Sequence, residues 1–364
     1  MVRLKIAIAG TRGIPARYGG FETFAEELSA RLVERGHEVW VYCRDAGESS
    51  SRGAHRIVLP AVRHKYFETV SHTLLSSLDA LRRGFDVILL CNAANAFVLP
   101  LLRAARIPVA INVDGIERHR RKWNVAGKFV YAVGESFSAL FANKVVADAD
   151  VIAGYYRSRY GIEPVTIPYG AEFPPEEDGD VLERLGVEAG NYILYVSRFE
   201  PENNPLEVVE AYEKLPNAPK LIMLGAASYA RDLGGALQRH ASDRILFPGA
   251  LYGRDYRTLQ RNALIYIQAT EVGGTHPAMI EAMRSGGCVL ANDTPENREV
   301  GGDAVGYFRL RPSETLSGTL RECLESPALR ERMRIAARAR AGERYSWSAV
   351  TDAYERLFGQ IASR

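Results

Sequence analysis

A chain of 364 residues, 47% hydrophobic and 25% charged, has the composition of an ordinary globular protein and the length for two α/β domains with separate cores. Its 46 basic and 44 acidic side chains leave a formal charge of +2, which excludes a global field for nucleic acid and requires any anionic partner to be met by a local patch. The four cysteines, Cys43, Cys91, Cys288 and Cys323, are widely spaced without a C-x-x-C pair, which argues for buried free thiols in a reducing compartment rather than a disulfide framework.

Residues 4–9 form a continuous apolar strand, reached from the first residue without a secretory leader, and no apolar run attains spanning length. The expected location is therefore cytoplasmic, with any membrane met from the surface. The run Gly10-Thr-Arg-Gly-Ile-Pro-Ala-Arg-Tyr-Gly-Gly20 is a glycine-rich turn before a helix over 21–35, and residues 37–43 supply the next strand. This βαβ start lacks the dinucleotide glycine spacing, so a nicotinamide enzyme is disfavoured. Gly19 and Gly20 nonetheless lead into a helix N-terminus and are candidates for an anion.

Strands follow at 86–91, 108–113 and 144–147, separated by helical runs around 74–82, 96–105 and 135–143, the alternation of a doubly wound parallel sheet. Asp114 ends the strand at Val113, on the sheet edge where such folds bind ligands. Next comes the most basic cluster of the chain, Arg118, Arg120, Arg121 and Lys122 beside Trp123, a candidate contact with a membrane surface or a pyrophosphate. Asp148-Ala-Asp150 has a D-x-D pattern but lies at a helix start, where capping explains it better than a metal.

Residues 168–180, rich in Pro, Gly and acids, mark a domain boundary. The alternation then restarts, with strands at 192–197, 220–224, 244–247, 264–268 and 288–291 and helices filling 313–361. Two domains are expected, 1–168 and 169–346, with a last helix at 347–364 packing back on the first. Arg198, at the end of the first strand of the second half, is placed to hold a diphosphate bidentately or to pair with Glu200 or Glu202. Asn203 follows in the same loop. A nucleobase is expected against Ala250 and the Tyr252 ring.

The stretch Glu271-Val-Gly-Gly-Thr-His-Pro-Ala-Met-Ile-Glu281 joins a buried strand to a helix with Pro in its first turn. Gly273, Gly274 and Thr275 can offer backbone N–H groups and a helix dipole to an anion, and Glu281, one turn further, can accept from a ribose diol. Tight packing alone explains the glycines equally well.

Five motifs, Gly10-Thr-Arg-Gly-Ile-Pro-Ala-Arg-Tyr-Gly-Gly-Phe-Glu22, Val113-Asp-Gly-Ile-Glu117, Pro168-Tyr-Gly-Ala-Glu172, Val272-Gly-Gly-Thr275 and Asn297-Arg-Glu-Val300, together resemble the family 4 retaining glycosyltransferases of GT-B fold, and more closely the bacterial polysaccharide rhamnosyltransferase branch. The resemblance implies an α/β protein of two Rossmann-like doubly wound domains facing a central cleft. It implies a metal-independent hexosyltransferase without cofactor, moving L-rhamnose from dTDP-L-rhamnose to a glycan or lipid-linked glycan in cell-surface polysaccharide synthesis, with UDP or GDP sugars open as donors. By the same resemblance Glu281 is the ribose ligand, Arg198 the diphosphate arginine and Gly20 the phosphate-binding glycine, while Asp114 stands where relatives have a histidine near the reacting sugar. Two departures stand out. The first acid of the family's E-x7-E pattern falls at Gly273, with Glu271 two residues early, and the lysine expected after Arg198 aligns with Asn203. A non-hydrolysing nucleotide-sugar epimerase and a catalytically silent nucleotide-sugar-binding subunit are the rival expectations.

Overall fold

The computed structural model describes all residues except 1, 17–18, 47, 63–67, 122, 173–178, 228–230, 312–313 and 364, and the side chains of 231 and 314. The apolar runs become parallel strands and the periodic segments the helices that cover them, in two compact units. One comprises Met1–His119, Trp123–Gly170 and Trp347–Arg364, the other Arg120–Lys122 and Ala171–Ser346.

In the first unit the strand order is Ser50–Ser51, Ala54–Val58, Glu38–Cys43, Lys5–Ala9, Val87–Cys91, Val109–Asn112, Lys144–Ala147 and Val165–Thr166. All pairings are parallel except the short hairpin of Ser50–Ser51 with Ala54–Val58. Lys5–Ala9 lies between Glu38–Cys43 and Val87–Cys91, the chain crossing back over it after Ala54–Val58, so the order reverses there. The loops after Ala9 and Cys91 consequently leave side by side at the C-terminal edge. They are so close that a Cβ on Gly10, whose φ is +90°, would stand 2.4 Å from the Cys91 carbonyl oxygen.

The second unit repeats the plan with six strands, all parallel, in the order Ile245–Gly249, Lys220–Leu224, Tyr192–Val196, Ile265–Gln268, Cys288–Asn292 and Gly306–Phe308. Here the reversal falls between the loops after Val196 and Gln268. A core built on Ile193, Tyr195, Met223, Ile265, Ile267 and Leu290 fixes both strand ends.

Helix Trp347–Ala362 belongs to the first unit. The Trp347 and Tyr354 rings lie 6.3 and 5.4 Å from that of Phe24, and His37 Nε2 is 3.0 Å from Glu355 Oε1. Helix Asp150–Tyr160 has Ala149 at its N-cap, with Asp150 in its first turn and Asp148 buried just ahead of it. The four cysteines are buried and free.

Candidate nucleotide-sugar site

Strand Tyr192–Val196 hands the chain to Ser197 and Arg198 and then to a single 3-10 turn, Pro201–Asn203, before helix Pro205–Glu213. The turn ends on Asn204, held in the left-handed region at φ +53°, where its amide nitrogen donates to the carbonyl oxygens of Ala269 at 2.9 Å and Glu202 at 3.1 Å. The Glu271 N–H donates to Glu202 O at 2.9 Å. The two loops at the reversal point are thereby tied to each other.

On this base Arg198 is part-exposed, with Nη1 3.6 Å from Glu200 Oε1. Asn203 is buried and donates from Nδ2 to the Arg198 carbonyl oxygen at 2.7 Å, while Tyr195 donates its hydroxyl to the Asn203 carbonyl at 2.7 Å. Asn203 thus shapes the loop that carries Arg198. Glu200 and Glu202, the acids the sequence offers as partners for Arg198, are both buried, and Glu200 is the one beside its guanidinium. Burial raises the Glu202 carboxyl above its ordinary range, against the lowering pull of Arg120, whose Nη1 lies 3.5 Å away.

Across the reversal point Gly273, Gly274 and Thr275 are buried and run into helix Pro277–Arg284, with His276 at the N-cap. A Cβ on Gly273 would stand 2.2 Å from Cε1 of the His276 ring, so glycine leaves the imidazole its space. Burial, with Arg120 nearby, lowers the His276 pKa to about 4, and the ring is neutral at pH 7. Glu281, one turn on, accepts a hydrogen bond from the Tyr256 hydroxyl. Gln260 Nε2 donates to that hydroxyl oxygen at 2.9 Å and to Ala278 O at 3.2 Å. Burial and the Glu281 charge push the Tyr256 hydroxyl well above its ordinary pKa, so it stays a donor. Tyr256 and Gln260 are one helical turn apart on Gly253–Asn262, a spacing readable in the sequence but with no motif to flag it. Ala250 and Tyr252, both exposed, follow the edge strand, two strands from the one that carries Arg198.

In the first unit Gly19 is the N-cap of helix Gly20–Glu34, and Glu22 accepts from the Arg12 N–H at 2.9 Å. Asp114 sits at φ +58°, with its N–H donating to Asn112 Oδ1 at 3.0 Å and its Oδ1 accepting from the Tyr169 hydroxyl at 3.3 Å.

Among the described residues of 118–123, the candidate membrane or pyrophosphate contact, the arginines have acid partners. Arg118 Nε lies 3.5 Å from Glu135 Oε2, Arg120 pairs with the buried Glu202, and Arg121 hydrogen-bonds Glu271. Trp123 leans on the Tyr131 ring at 5.2 Å and its indole N–H lies 3.4 Å from Glu117 Oε2. Carboxylates distant in sequence absorb the charge, and an aromatic neighbour covers the indole. Lys122 lies outside the described residues. Among the described residues no group of three His, Cys, Asp or Glu is arranged to hold a metal ion.

Residues 18–172 match the family model described as Glycosyltransferase Family 4, and residues 183–340 match Glycosyl transferases group 1. A curated relative, the phosphatidyl-myo-inositol mannosyltransferase of Mycobacterium leprae, is 26% identical over 230 residues, and the match spans 60% of this chain and 59% of that protein. Among solved structures, sucrose-phosphate synthase from Thermosynechococcus elongatus superposes with a TM-score of 0.86 at 19% identity, covering 99% of this chain and 100% of the other. Anabaena Alr3699/HepE in complex with UDP-glucose gives 0.81 at 16% identity over 99% and 100%, and WaaG, a glycosyltransferase involved in lipopolysaccharide biosynthesis, gives 0.74 at 15% over 98% and 99%. At these identities the structural likeness is one of fold, the paired parallel-sheet α/β domains of GT-B glycosyltransferases.

Proposed function

We propose that this chain, built of a family 4 and a group 1 glycosyltransferase domain, is a hexosyltransferase that takes a sugar from a nucleotide diphosphate carried on its second unit. The observation that carries the reading is the tie between Asn204, Glu202, Ala269 and Glu271, which sets Arg198 and the Gly273–Thr275 amides on one sheet edge beside a helix N-terminus. Arg198 neutralises the diphosphate and Glu281, which accepts from the Tyr256 hydroxyl, accepts from the ribose hydroxyls. We assign Gly20 a backbone contact to phosphate and Asp114 a hydrogen bond to a sugar hydroxyl.

The chemistry needs no carboxylate nucleophile. The bond from the anomeric carbon to the diphosphate oxygen breaks first. The acceptor hydroxyl oxygen then attacks the same face, and its proton passes to the departing diphosphate, so configuration is retained. Charge grows on the phosphate oxygens, where each preorganised donor is worth ~3 kcal/mol.

L-Rhamnose from dTDP-L-rhamnose is our favoured donor, on the strength of the branch motifs. UDP sugars are the main competitor, because the Alr3699/HepE structures hold UDP and UDP-glucose. The acceptor is a glycan or lipid-linked glycan, in keeping with the mannosyltransferase and WaaG descriptions. A panel of nucleotide sugars, assayed for nucleotide release with and without acceptor glycans, tests this. Acceptor-dependent release of dTDP is expected. Consumption of a different donor refutes rhamnose, an epimerised nucleotide sugar establishes an epimerase, and tight binding without turnover establishes a silent subunit.

A further inference from the structure

Two helices of the first unit turn apolar side chains to solvent, and the first of them is built inside out. Helix Glu68–Ala80 buries His72, Thr73, Ser76 and Ser77 and turns Val70, Leu74, Leu75 and Leu78 to solvent, with Leu81 continuing the stripe. Leu74 and Leu78 are 43% and 44% exposed. Helix Val125–Phe141 buries Tyr131, Gly134, Glu135 and Ser138, packs Phe137 and Phe141 against the core, and leaves Val125, Phe129, Val130 and Leu140 outside, Val125 at 85% and Phe129 at 68% exposure. Water-facing helices place their polar residues outward, and contiguous exposed apolar surface marks a contact with something apolar.

The inversion is anchored. Thr73 donates to Asn95 Oδ1 at 2.7 Å, and Ser76 and Ser77 each donate to the carbonyl four residues back at 2.8 Å, so the buried polar groups have partners. Gly134 packs so tightly that a Cβ there would stand 2.3 Å from the Ala93 carbonyl oxygen. Both helices pack on the one segment Ala93–Val98. Val62 joins them, donating its N–H to Ser71 Oγ at 2.9 Å.

Charge selects the occupant. The two helices hold three carboxylates, and each is engaged by partners of its own unit: Glu68 with Arg12 and Arg44, Asp79 with Arg83 and Tyr42, Glu135 with Arg118, Tyr155 and Tyr160. Lys128, on the second helix, and Arg82, just past the first, are exposed. An apolar face without an outward acid, bordered by cations, complements acyl chains below anionic headgroups. No helix of the described residues is long and apolar enough to cross a membrane, so the contact is one of lying on the bilayer.

We propose that the outward faces of Glu68–Ala80 and Val125–Phe141 dock this protein on an anionic lipid bilayer. The inference stands on this surface and not on the sugar chemistry, and its assay needs neither donor nor acceptor. The full chain is sedimented with vesicles of phosphatidylcholine alone or mixed with phosphatidylglycerol. Binding is expected to both, stronger to the mixed vesicles. The double substitution Leu74→Gln with Leu78→Gln should weaken it about tenfold or more, because much of each leucine leaves water on docking. Phe129→Gln should weaken it separately, and Ile335→Gln, an exposed apolar position of the second unit, should not. Circular dichroism and nucleotide affinity, unchanged in all variants, verify that folding survives. Undiminished binding by the double variant overturns the proposal. So does absence of wild-type binding, and so does a wild-type dimer in sedimentation equilibrium that the leucine substitutions dissolve, which would make a second copy the occupant.

Discussion

Tyr256→Phe removes one oxygen and tests whether Glu281 is a held ligand or a surface acid. In the folded chain that hydroxyl donates to the Glu281 carboxylate and accepts from Gln260 Nε2 at 2.9 Å. A hydrogen bond to a charged group contributes about 1.5–3 kcal/mol, and because Glu281 is only half-buried, water recovers part of it, leaving a stability loss of about 1–2 kcal/mol. The released carboxylate regains rotamer freedom that nucleotide binding must then remove, about 0.5–1.5 kcal/mol, or roughly a two- to tenfold weaker complex. Glu281→Ala removes the ribose acceptor itself and costs about 1–3 kcal/mol, roughly 5- to 150-fold in affinity. Calorimetric titration with nucleoside diphosphate, run beside thermal unfolding, should give Glu281→Ala the larger affinity loss and Tyr256→Phe an affinity loss together with a lower melting temperature. Nucleotide affinity unchanged in Glu281→Ala refutes the ribose assignment, and Tyr256→Phe losing stability with affinity intact refutes the positioning role.

Arg198→Ala should lower turnover about a hundredfold or more with the fold intact, since a fixed cation on the leaving group counts most in the transition state. A parallel fall in melting temperature and activity would instead assign it to its pair with Glu200. His72 is fully buried with Nε2 3.1 Å from Cys43 O, and burial lowers its pKa from 6.5 to about 4. Its neutral form therefore stabilises the fold fully above pH 6.5, and the contribution is lost as pH falls from 6.5 towards 4. At pH 5 the loss is about 2 kcal/mol. Urea unfolding at pH 7.5 and 5 should show an acid-induced drop that His72→Gln reduces; an equal drop in both proteins excludes this histidine. Gly273→Ala should lose about 1–3 kcal/mol by crowding the His276 ring, and His276→Ala in the same chain should restore most of it. Strictly additive losses would show that the ring is not the obstacle.

The strand and helix alternation was legible because each buried strand is one uninterrupted apolar run, such as Val-Ile-Leu-Leu-Cys at Val87–Cys91 or Tyr-Ile-Leu-Tyr-Val at Tyr192–Val196. The strand Ala54–Val58 escaped notice because it flanks the two-residue hairpin strand at the sheet margin and carries His55 and Arg56. Helix Glu68–Ala80 begins earlier than the apolar pattern suggested because its inner face is polar. The placing of Arg198, Gly273 and Glu281 at one sheet edge follows from the strand reading alone. What was not legible is who neutralises whom. Arg121 meets Glu271, 150 residues away in the chain, and Arg120 meets Glu202, so two cations of a run that reads as a basic surface have acid partners that local sequence does not show. Tyr256 was hidden for a related reason, since its partner acid lies on another helix.

The return of Trp347–Ala362 to the first unit makes the second an insertion within it. The crossings at 170–171 and 346–347 lie next to each other: the Ala171 N–H donates to Tyr345 O at 2.7 Å, and Gly170 lies against the Trp347 ring, which a Cβ there would meet at 2.4 Å. A ribosome extruding this chain therefore releases all of the second unit while the first still lacks its last helix. Until then Phe24 has no Trp347 or Tyr354 against it, and His37 and Arg35 have no Glu355. The unit encoded second is complete first, and the opening residues of the chain wait for its closing ones. A stop codon a few residues before Trp347 would leave the second unit whole and deprive the first of the aromatic and charged partners its helix Gly20–Glu34 is shaped to receive.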